Sequence, residues 1–140
     1  TQMDDAGHDV PASAIFSKLM SRQKWFLSSY TPFRRMYKAA DRVLFYLGGP
    51  GHRHFVGAAT VADRIKTIAD SDEEMLAEFG LFGYDAELPL QSIEVWEQPK
   101  PMKALVEDLE FVKDKKNYGL HLRRGAVRIS QEDFECVVSA

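Results

Sequence analysis

The spacing of apolar residues predicts a helix near the start of the chain. Within residues 11–21, large apolar side chains recur three and four positions apart, as they do on one face of a helix. These side chains are Ile15, Phe16, Leu19 and Met20. Ser13 is a candidate N-cap for this helix. The polar residues 1–10 before it predict a flexible N-terminal lead.

Two apolar segments further along predict a β-hairpin. Residues 41–47 are mostly apolar, which is typical of a strand buried on both faces, and the glycine-rich turn 48–51 ends them. Residues 54–62 predict the second strand. Gly57 within it indicates a bulge or a close approach of another backbone.

Short helices and strands are mixed in the rest of the chain. Further helices are predicted at residues 70–79, from Met102, and after Ser130, which is a candidate N-cap with Asp133 at the third helical position. Further strands are predicted at residues 90–96, 120–122 and 126–129. Residues 80–87 predict a loop that exposes aromatic side chains. Because strands and helices do not alternate regularly, the pattern favours an α+β domain built around a curved, barrel-like sheet, with one domain over residues 11–140.

Composition narrows the class of protein. The chain has 140 residues, of which 45% are hydrophobic and 28% charged, and these values are typical of a globular domain. No apolar run approaches the roughly 20 residues that span a bilayer, so we expect no membrane partner. The single cysteine, Cys136, rules out an internal disulfide and a cysteine-rich metal site. We therefore expect a cytoplasmic protein without a cofactor.

The charges are distributed unevenly along the chain. A net charge of −3 counts against a protein that coats nucleic acid through electrostatics alone. Residues 18–42 nevertheless carry seven basic side chains against the single acid Asp41, whereas residues 63–97 are mainly acidic. This asymmetry indicates a directional surface, with two ordinary solvated faces as the alternative.

Sequence motifs for catalysis or metal binding are weak. His52 and His54 lie two residues apart without a third ligand nearby, and the glycine-rich turn 48–51 lacks the Lys-Ser/Thr pair of a phosphate-binding loop. No Ser-His-Asp order in a strand-elbow context supports nucleophilic catalysis. The residues therefore favour a binding protein over an enzyme.

Three segments resemble the EVE domain, a family of the PUA-like fold related to the YTH readers of modified RNA. The first is the C-terminal segment 105–134, where an apolar run leads to "K.KK.Y", a short strand, a basic turn with glycine, and "IS.EDF". Residues 40–47, followed by residues 55–61, resemble the family pattern "GD.V.(I/F)Y" and then "(I/V)VG...V", with Ala40 where glycine is usual. Residues 95–102 resemble the strand and proline step before the family's short helix. A first strand before Pro11, usual in the family, is not evident.

The resemblance implies a PUA-like curved β-barrel flanked by helices. It implies non-catalytic binding of nucleic acid through a flipped, modified base held in an aromatic pocket. A 5-methylcytosine-type DNA base is the first candidate, and kinship with YTH domains makes methyladenine a second. Such a module often accompanies a fused or associated nuclease or other effector. The alternatives are a PUA-like module for a small molecule or protein partner, and a reader of RNA modification.

The resemblance also assigns candidate residues to the pocket and to the phosphates. Trp25 is the best candidate for the aromatic cage, and ordinary core packing is the alternative for each aromatic residue. The other pocket candidates are Tyr118, Phe82 and Tyr84 as aromatic walls, and Ser28, Ser29 and Asn117 as readers of the base edge. For the polar three, local turn bonding is the alternative. The phosphate candidates are Arg34, Arg35, Lys113, Lys115, Lys116, Arg123 and Arg124.

Overall fold

The structure, a computed structural model, describes most of the chain. The described residues are 2–3, 9–10, 12–48, 53–81, 83–113, 115–116 and 126–140, with only the backbone at 2–3 and 9–10. Within the expected lead, β1 (Gln2–Met3) pairs antiparallel with β2 (Asp9–Val10) in a small sheet of their own. The strand predicted at residues 120–122 lies outside the described residues.

The first helix forms as the apolar spacing predicts. Helix α1 (Ala12–Ser21) buries its four periodic apolar side chains. Gln23, with a φ of 59°, turns the chain after the helix and leads into β3 (Lys24–Ser28). Helix α1 packs against β3, and the pair covers one side of the core.

The main sheet is antiparallel and has five strands within the described residues. Its path runs β3, β7, β5, β4, and β6 also pairs with β7. The strands that follow β3 are β4 (Arg42–Leu47), β5 (His54–Val61), β6 (Lys66–Thr67) and β7 (Tyr84–Pro101). The predicted β4–β5 hairpin is thus confirmed.

The 18-residue strand β7 bends the sheet into a half-barrel. Its first part pairs with β3 and its second part with β5, and the pairing with β5 shifts register twice. Ser92, near one shift, has a φ of 50°. Register shifts of this kind bend a strand and increase its twist. As a result the outer strands β3 and β4 approach, and the rings of Trp25 and Phe45 lie 5.0 Å apart.

Gly57 allows the tight curvature of β5, as its position in the strand pattern predicts. A Cβ atom at this residue would overlap the carbonyl oxygen of Glu94 on β7 and lie 3.3 Å from Cζ of Phe16. The register between β4 and β5 also shifts beside it, between Phe45 and Tyr46. Gly57 therefore marks both a close backbone approach and a bulge.

Three further helices lie in the described part of the chain. Helix α2 (Glu73–Glu78) follows the 3-10 turn Asp70–Asp72, helix α3 (Met102–Leu105) leads into the 3-10 turn Val106–Asp108, and helix α4 (Gln131–Val138) lies near the C-terminal end. A second apolar cluster packs between these last elements and β5. Its members are Phe55, Met102, Leu105, Val106, Leu109, Val112 and Val137. The result is an α+β fold in which helices flank a strongly curled sheet.

Three predictions of local structure are wrong, and the first is the N-cap of α1, because Ser13 lies within the helix. The loop expected at residues 80–87 gives way to β7 at Tyr84, because Ala86 and Leu88 alternate with polar residues and pair with β3 and β6. Residues 126–129 form no strand, and they lie along a surface pocket instead of a sheet edge. None of the helices in the described ranges has the length and apolar character needed to cross a bilayer.

Candidate functional site

An aromatic pocket opens where the two outer strands of the half-barrel converge. Its volume is about 510 Å³, within the range of about 300–1,000 Å³ that is typical of small-molecule sites. Strands β3 and β4, the connection 29–41 and residues 126–129 form its walls. The aromatic lining residues are Trp25, Phe33, Tyr37, Phe45, Tyr46, Phe55 and Phe111.

Trp25, the predicted cage residue, lies in this pocket. Strand β3 holds it half-buried, and its ring packs against Phe45 at 5.0 Å and edge-on against Phe16 at 6.4 Å between centroids. These contacts fix the ring orientation, so that Trp25 joins the core and the pocket at once. Cage and core packing are therefore compatible roles for this residue.

A hydrogen-bonded turn fixes the start of the connection 29–41. The backbone N–H of Ser28 donates to Oγ1 of Thr31 at 3.1 Å, and the N–H of Tyr30 donates to Oγ of Ser28 at 3.3 Å. The Ser28 and Thr31 hydroxyls also lie 3.2 Å apart. Ser28 thus serves the turn, and it does not line the pocket. Local turn bonding, the alternative for this residue, describes its position.

Phe33 forms a wall of the pocket in an unusual backbone conformation. Its φ is 62°, in the left-handed region that bulky residues rarely adopt and that costs about 1–3 kcal/mol. The N–H of Met36 donates to the Phe33 carbonyl at 2.8 Å and closes the turn around it. The guanidinium carbon of Arg128 lies 5.9 Å from the centroid of the Phe33 ring. In the sequence Phe33 stands beside two arginines in "PFRR", and this context alone did not identify it as a pocket residue.

Tyr37 also lines the pocket, and it carries a phenol hydroxyl. Burial, and then the nearby charge of Asp41, raise the pKa of the Tyr37 phenol above its ordinary value of 10.0. The phenol is therefore neutral at physiological pH and can both donate and accept a hydrogen bond. Asp41 itself accepts the backbone N–H of Lys38 at 3.1 Å. Sequence reasoning missed Tyr37 because nothing in the linear pattern folds the connection back onto β4.

The cations that line the pocket differ in whether they have a partner within the protein. Arg42 lies over the ring of Phe134 at 4.0 Å and pairs with Glu135 at 2.9 Å. Lys38 and Arg128 are exposed, and within the described part of the chain neither has an ion-pair partner. These two cations are available to an anionic ligand group.

A shallower groove of about 400 Å³ adjoins the pocket. Residues of the segment 29–36, other than Tyr30 and Pro32, form it together with Asp85, and it includes the predicted residues Ser29, Arg34 and Arg35. The guanidinium of Arg34 pairs with the Asp85 carboxylate at 2.7 Å. Arg35 is exposed and has no ion-pair partner among the residues described.

The other predicted site residues are not gathered at the pocket. Tyr84 is half-buried in β7 and packs against the core cluster that contains Phe16 and Phe26. The ammonium of Lys115 donates to the carbonyls of Val106 at 3.0 Å and Leu109 at 2.6 Å, so it serves the backbone there. Lys113 and Lys116 are exposed and line neither pocket nor groove. The remaining candidates, Phe82, Asn117, Tyr118, Arg123 and Arg124, lie outside the described residues.

The described residues contain no candidate metal centre. No group of three or more His, Cys, Asp or Glu side chains there is placed to hold a metal ion. The residues that line the pocket supply aromatic faces, the two phenols of Tyr37 and Tyr46, the carboxylate of Asp41 and nearby cations.

Comparison with known proteins adds no relative. No model of a known protein family matches the chain, and no curated protein sequence is significantly similar to it.

Proposed function

We propose that the chain is a PUA-like domain of the EVE type that binds nucleic acid carrying a modified base. In this proposal the base is flipped out of its stack and held in the aromatic pocket, and a 5-methylcytosine-type DNA base is the first candidate. The domain recognises the base, and a fused or associated nuclease or other effector carries out any reaction. The observation that carries the proposal is the convergence of Trp25, Phe33 and Tyr37 on one pocket beside unpaired cations.

The energetics of base recognition suit such a pocket. A base inside a duplex hides its edge, so an enzyme or reader that inspects it extrudes it into a pocket. Stacking on an aromatic side chain contributes about 1–3 kcal/mol per base. Desolvating one methyl group adds about 0.8 kcal/mol. Selectivity for a methylated base therefore requires close aromatic walls and placed polar groups, and Tyr37 is the polar group that we assign to the base edge.

Titration with matched oligonucleotides tests this proposal. Short DNA and RNA strands carrying cytosine, 5-methylcytosine or N6-methyladenine are added to a Trp96→Phe background. Since the chain has two tryptophans, the remaining fluorescence then comes from Trp25 in the pocket. We expect the 5-methylcytosine DNA strand to quench this fluorescence at lower concentration than its unmodified match.

Phe33→Gly is the sharpest variant for the pocket. Glycine adopts a φ of 62° without steric cost, so the variant removes the aromatic wall and keeps the backbone conformation accessible. We expect the affinity for the modified strand to fall about 5- to 150-fold, the equivalent of losing one stacked base. Equal binding of all strands, or unchanged binding by Phe33→Gly, contradicts the proposal.

A module for a small molecule is the second candidate, and one observation favours it. One of the predicted phosphate ligands, Lys115, is engaged by backbone carbonyls, and another, Lys113, lines neither pocket nor groove. A neutral ligand in the same pocket needs no phosphate contact. The salt dependence of binding separates the two candidates, because released counterions make binding to a nucleic acid fall steeply as the salt concentration rises.

A further inference from the structure

We propose that the groove of residues 29–36 and Asp85 binds the phosphate and the neighbouring base of the nucleotide next to the one in the pocket. The inference rests on the proposed function, and it goes further by naming the residues that hold the neighbouring phosphate and base. The groove and the pocket share Phe33 and Met36 as lining residues, so a strand that leaves the pocket over this wall enters the groove directly.

The charges around the shared wall suit a phosphate. Arg34 is tied to Asp85 at 2.7 Å and its side chain is only 19% exposed, which orients its guanidinium. A guanidinium carries five N–H donors, so one bond to Asp85 leaves others for a phosphate oxygen. Arg35 adds an exposed cation in the same groove. Lys38 and Arg128 add two more at the adjoining pocket, which favours a strand over a neutral ligand.

An exposed aromatic residue lies within the chain segment that lines the groove. Tyr30 is 93% exposed, and its chain neighbours Ser29 and Thr31 both line the groove. The Ser28–Thr31 turn fixes the backbone at this point, because the N–H of Tyr30 donates to Oγ of Ser28. A fixed backbone that presents a tyrosine to solvent provides a stacking platform for a base of any sequence. We assign the neighbouring base to this ring.

The experiment compares ligands that differ only beyond the bound base. The probes are the nucleoside 5-methyl-2′-deoxycytidine and a DNA trinucleotide with 5-methylcytosine at its centre. The proteins are the wild type, Arg35→Gln, Tyr30→Ala and the control Arg64→Gln, which removes an exposed arginine outside pocket and groove. Both groove variants alter exposed side chains, so both should fold, and circular dichroism checks this.

The groove predicts a specific pattern of affinities. The trinucleotide should bind more tightly than the nucleoside. Arg35→Gln should weaken trinucleotide binding about fivefold and lower the slope of log affinity against log salt by about 0.7. Tyr30→Ala should weaken it about fivefold or more. Nucleoside binding should be unchanged in both variants, and Arg64→Gln should change neither.

The outcomes separate this inference from the proposed function. If both probes bind equally well and neither groove variant has an effect, the groove inference is overturned while the pocket stands. If neither probe binds the wild type, the proposed function and the inference fall together. If Arg64→Gln weakens trinucleotide binding as much as Arg35→Gln does, the effect is general charge attraction and the groove assignment is overturned.

Discussion

Ala40 adopts a backbone conformation that favours glycine, and this makes it a test of local strain. Its φ is 77°, and its N–H donates to the carbonyl of Val61 at 2.9 Å, which anchors the chain just before β4. The left-handed region costs a residue with a Cβ about 1–2 kcal/mol, and glycine avoids that cost. The EVE resemblance places glycine at this position. We expect Ala40→Gly to raise the free energy of unfolding by about 0.5–1 kcal/mol after the entropy of glycine is subtracted.

Urea denaturation measures this change, and Ala69→Gly is the matched control. Ala69 is also exposed, but its φ is −66° and its ψ is 145°, which any residue adopts. Glycine there should lower the free energy of unfolding by about 0.4–1 kcal/mol, because it only adds freedom to the unfolded chain. Effects of the same sign at both positions would contradict the strain at Ala40.

Single residues of the pocket were only partly predictable. Trp25 was identified through the resemblance to the EVE pattern, from its place after the first helix, and it does line the pocket. Phe33 and Tyr37 were not, because their roles depend on how the connection 29–41 folds back against β3 and β4. That folding is fixed by turn hydrogen bonds such as those of Ser28 and Met36, which leave no periodic signal in the sequence.

Asp133 joins helix α4 to the segment that follows the 3-10 turn Val106–Asp108. Its carboxylate is buried, and it accepts the backbone N–H groups of Glu110 at 2.8 Å and Phe111 at 2.9 Å. Its own N–H donates to Oγ of Ser130, which confirms the predicted cap. In Asp133→Ala both N–H groups lose their acceptor, so we expect the free energy of unfolding to fall by about 2–4 kcal/mol. Chemical denaturation followed by circular dichroism measures it.

Two neighbouring variants show whether the acceptor oxygens carry this effect. Asp133→Asn keeps one carbonyl oxygen and should lose less stability than Asp133→Ala. Glu132→Gln removes an exposed carboxylate from the same helical turn and should change stability by about 0.5 kcal/mol or less. If Glu132→Gln costs as much as Asp133→Ala, attraction to the helix dipole accounts for the effect and the backbone contacts do not.

Helices and strands were predictable where the spacing of their own apolar side chains indicates a helix or a strand. Helix α1 and the β4–β5 hairpin form where apolar spacing places them. Strand β7 was predicted at about its middle only, since Gly80 and Gly83 gave residues 80–87 the composition of a loop. Its full length depends on pairing with β3, β5 and β6 at once, and such pairing is a property of the sheet.

The curl of the whole sheet brings distant segments together around Lys24. Its ammonium pairs with Asp72 at 2.7 Å and with Glu87 at 3.2 Å, so one side chain links β3, the turn before α2, and β7. Asp72 is 2% exposed, so the link is buried at its Asp72 end. Lys24 directly precedes Trp25 in β3. The link therefore holds the strand that places Trp25 in the wall of the pocket. Such a three-way contact could not be predicted from the sequence, because its partners lie 48 and 63 residues away.

The Lys24 link predicts a loss of stability at alkaline pH. Partial burial opposes the charge of Lys24, but the hydrogen bonds to Asp72 and Glu87 outweigh it and raise the pKa above the ordinary 10.5. A raised lysine pKa means that the link contributes fully below the unfolded pKa and is lost as the pH rises through the folded one. We expect Lys24→Arg, which stays charged in this window, to lose less stability than the wild type between about pH 9 and pH 11.5. Urea denaturation across that range measures the difference.

Lys66→Arg is the control, because it changes an exposed pair with Asp63 and should leave the alkaline loss of stability as it is in the wild type. If both variants reduce the alkaline loss equally, the Lys24 link is not responsible for it.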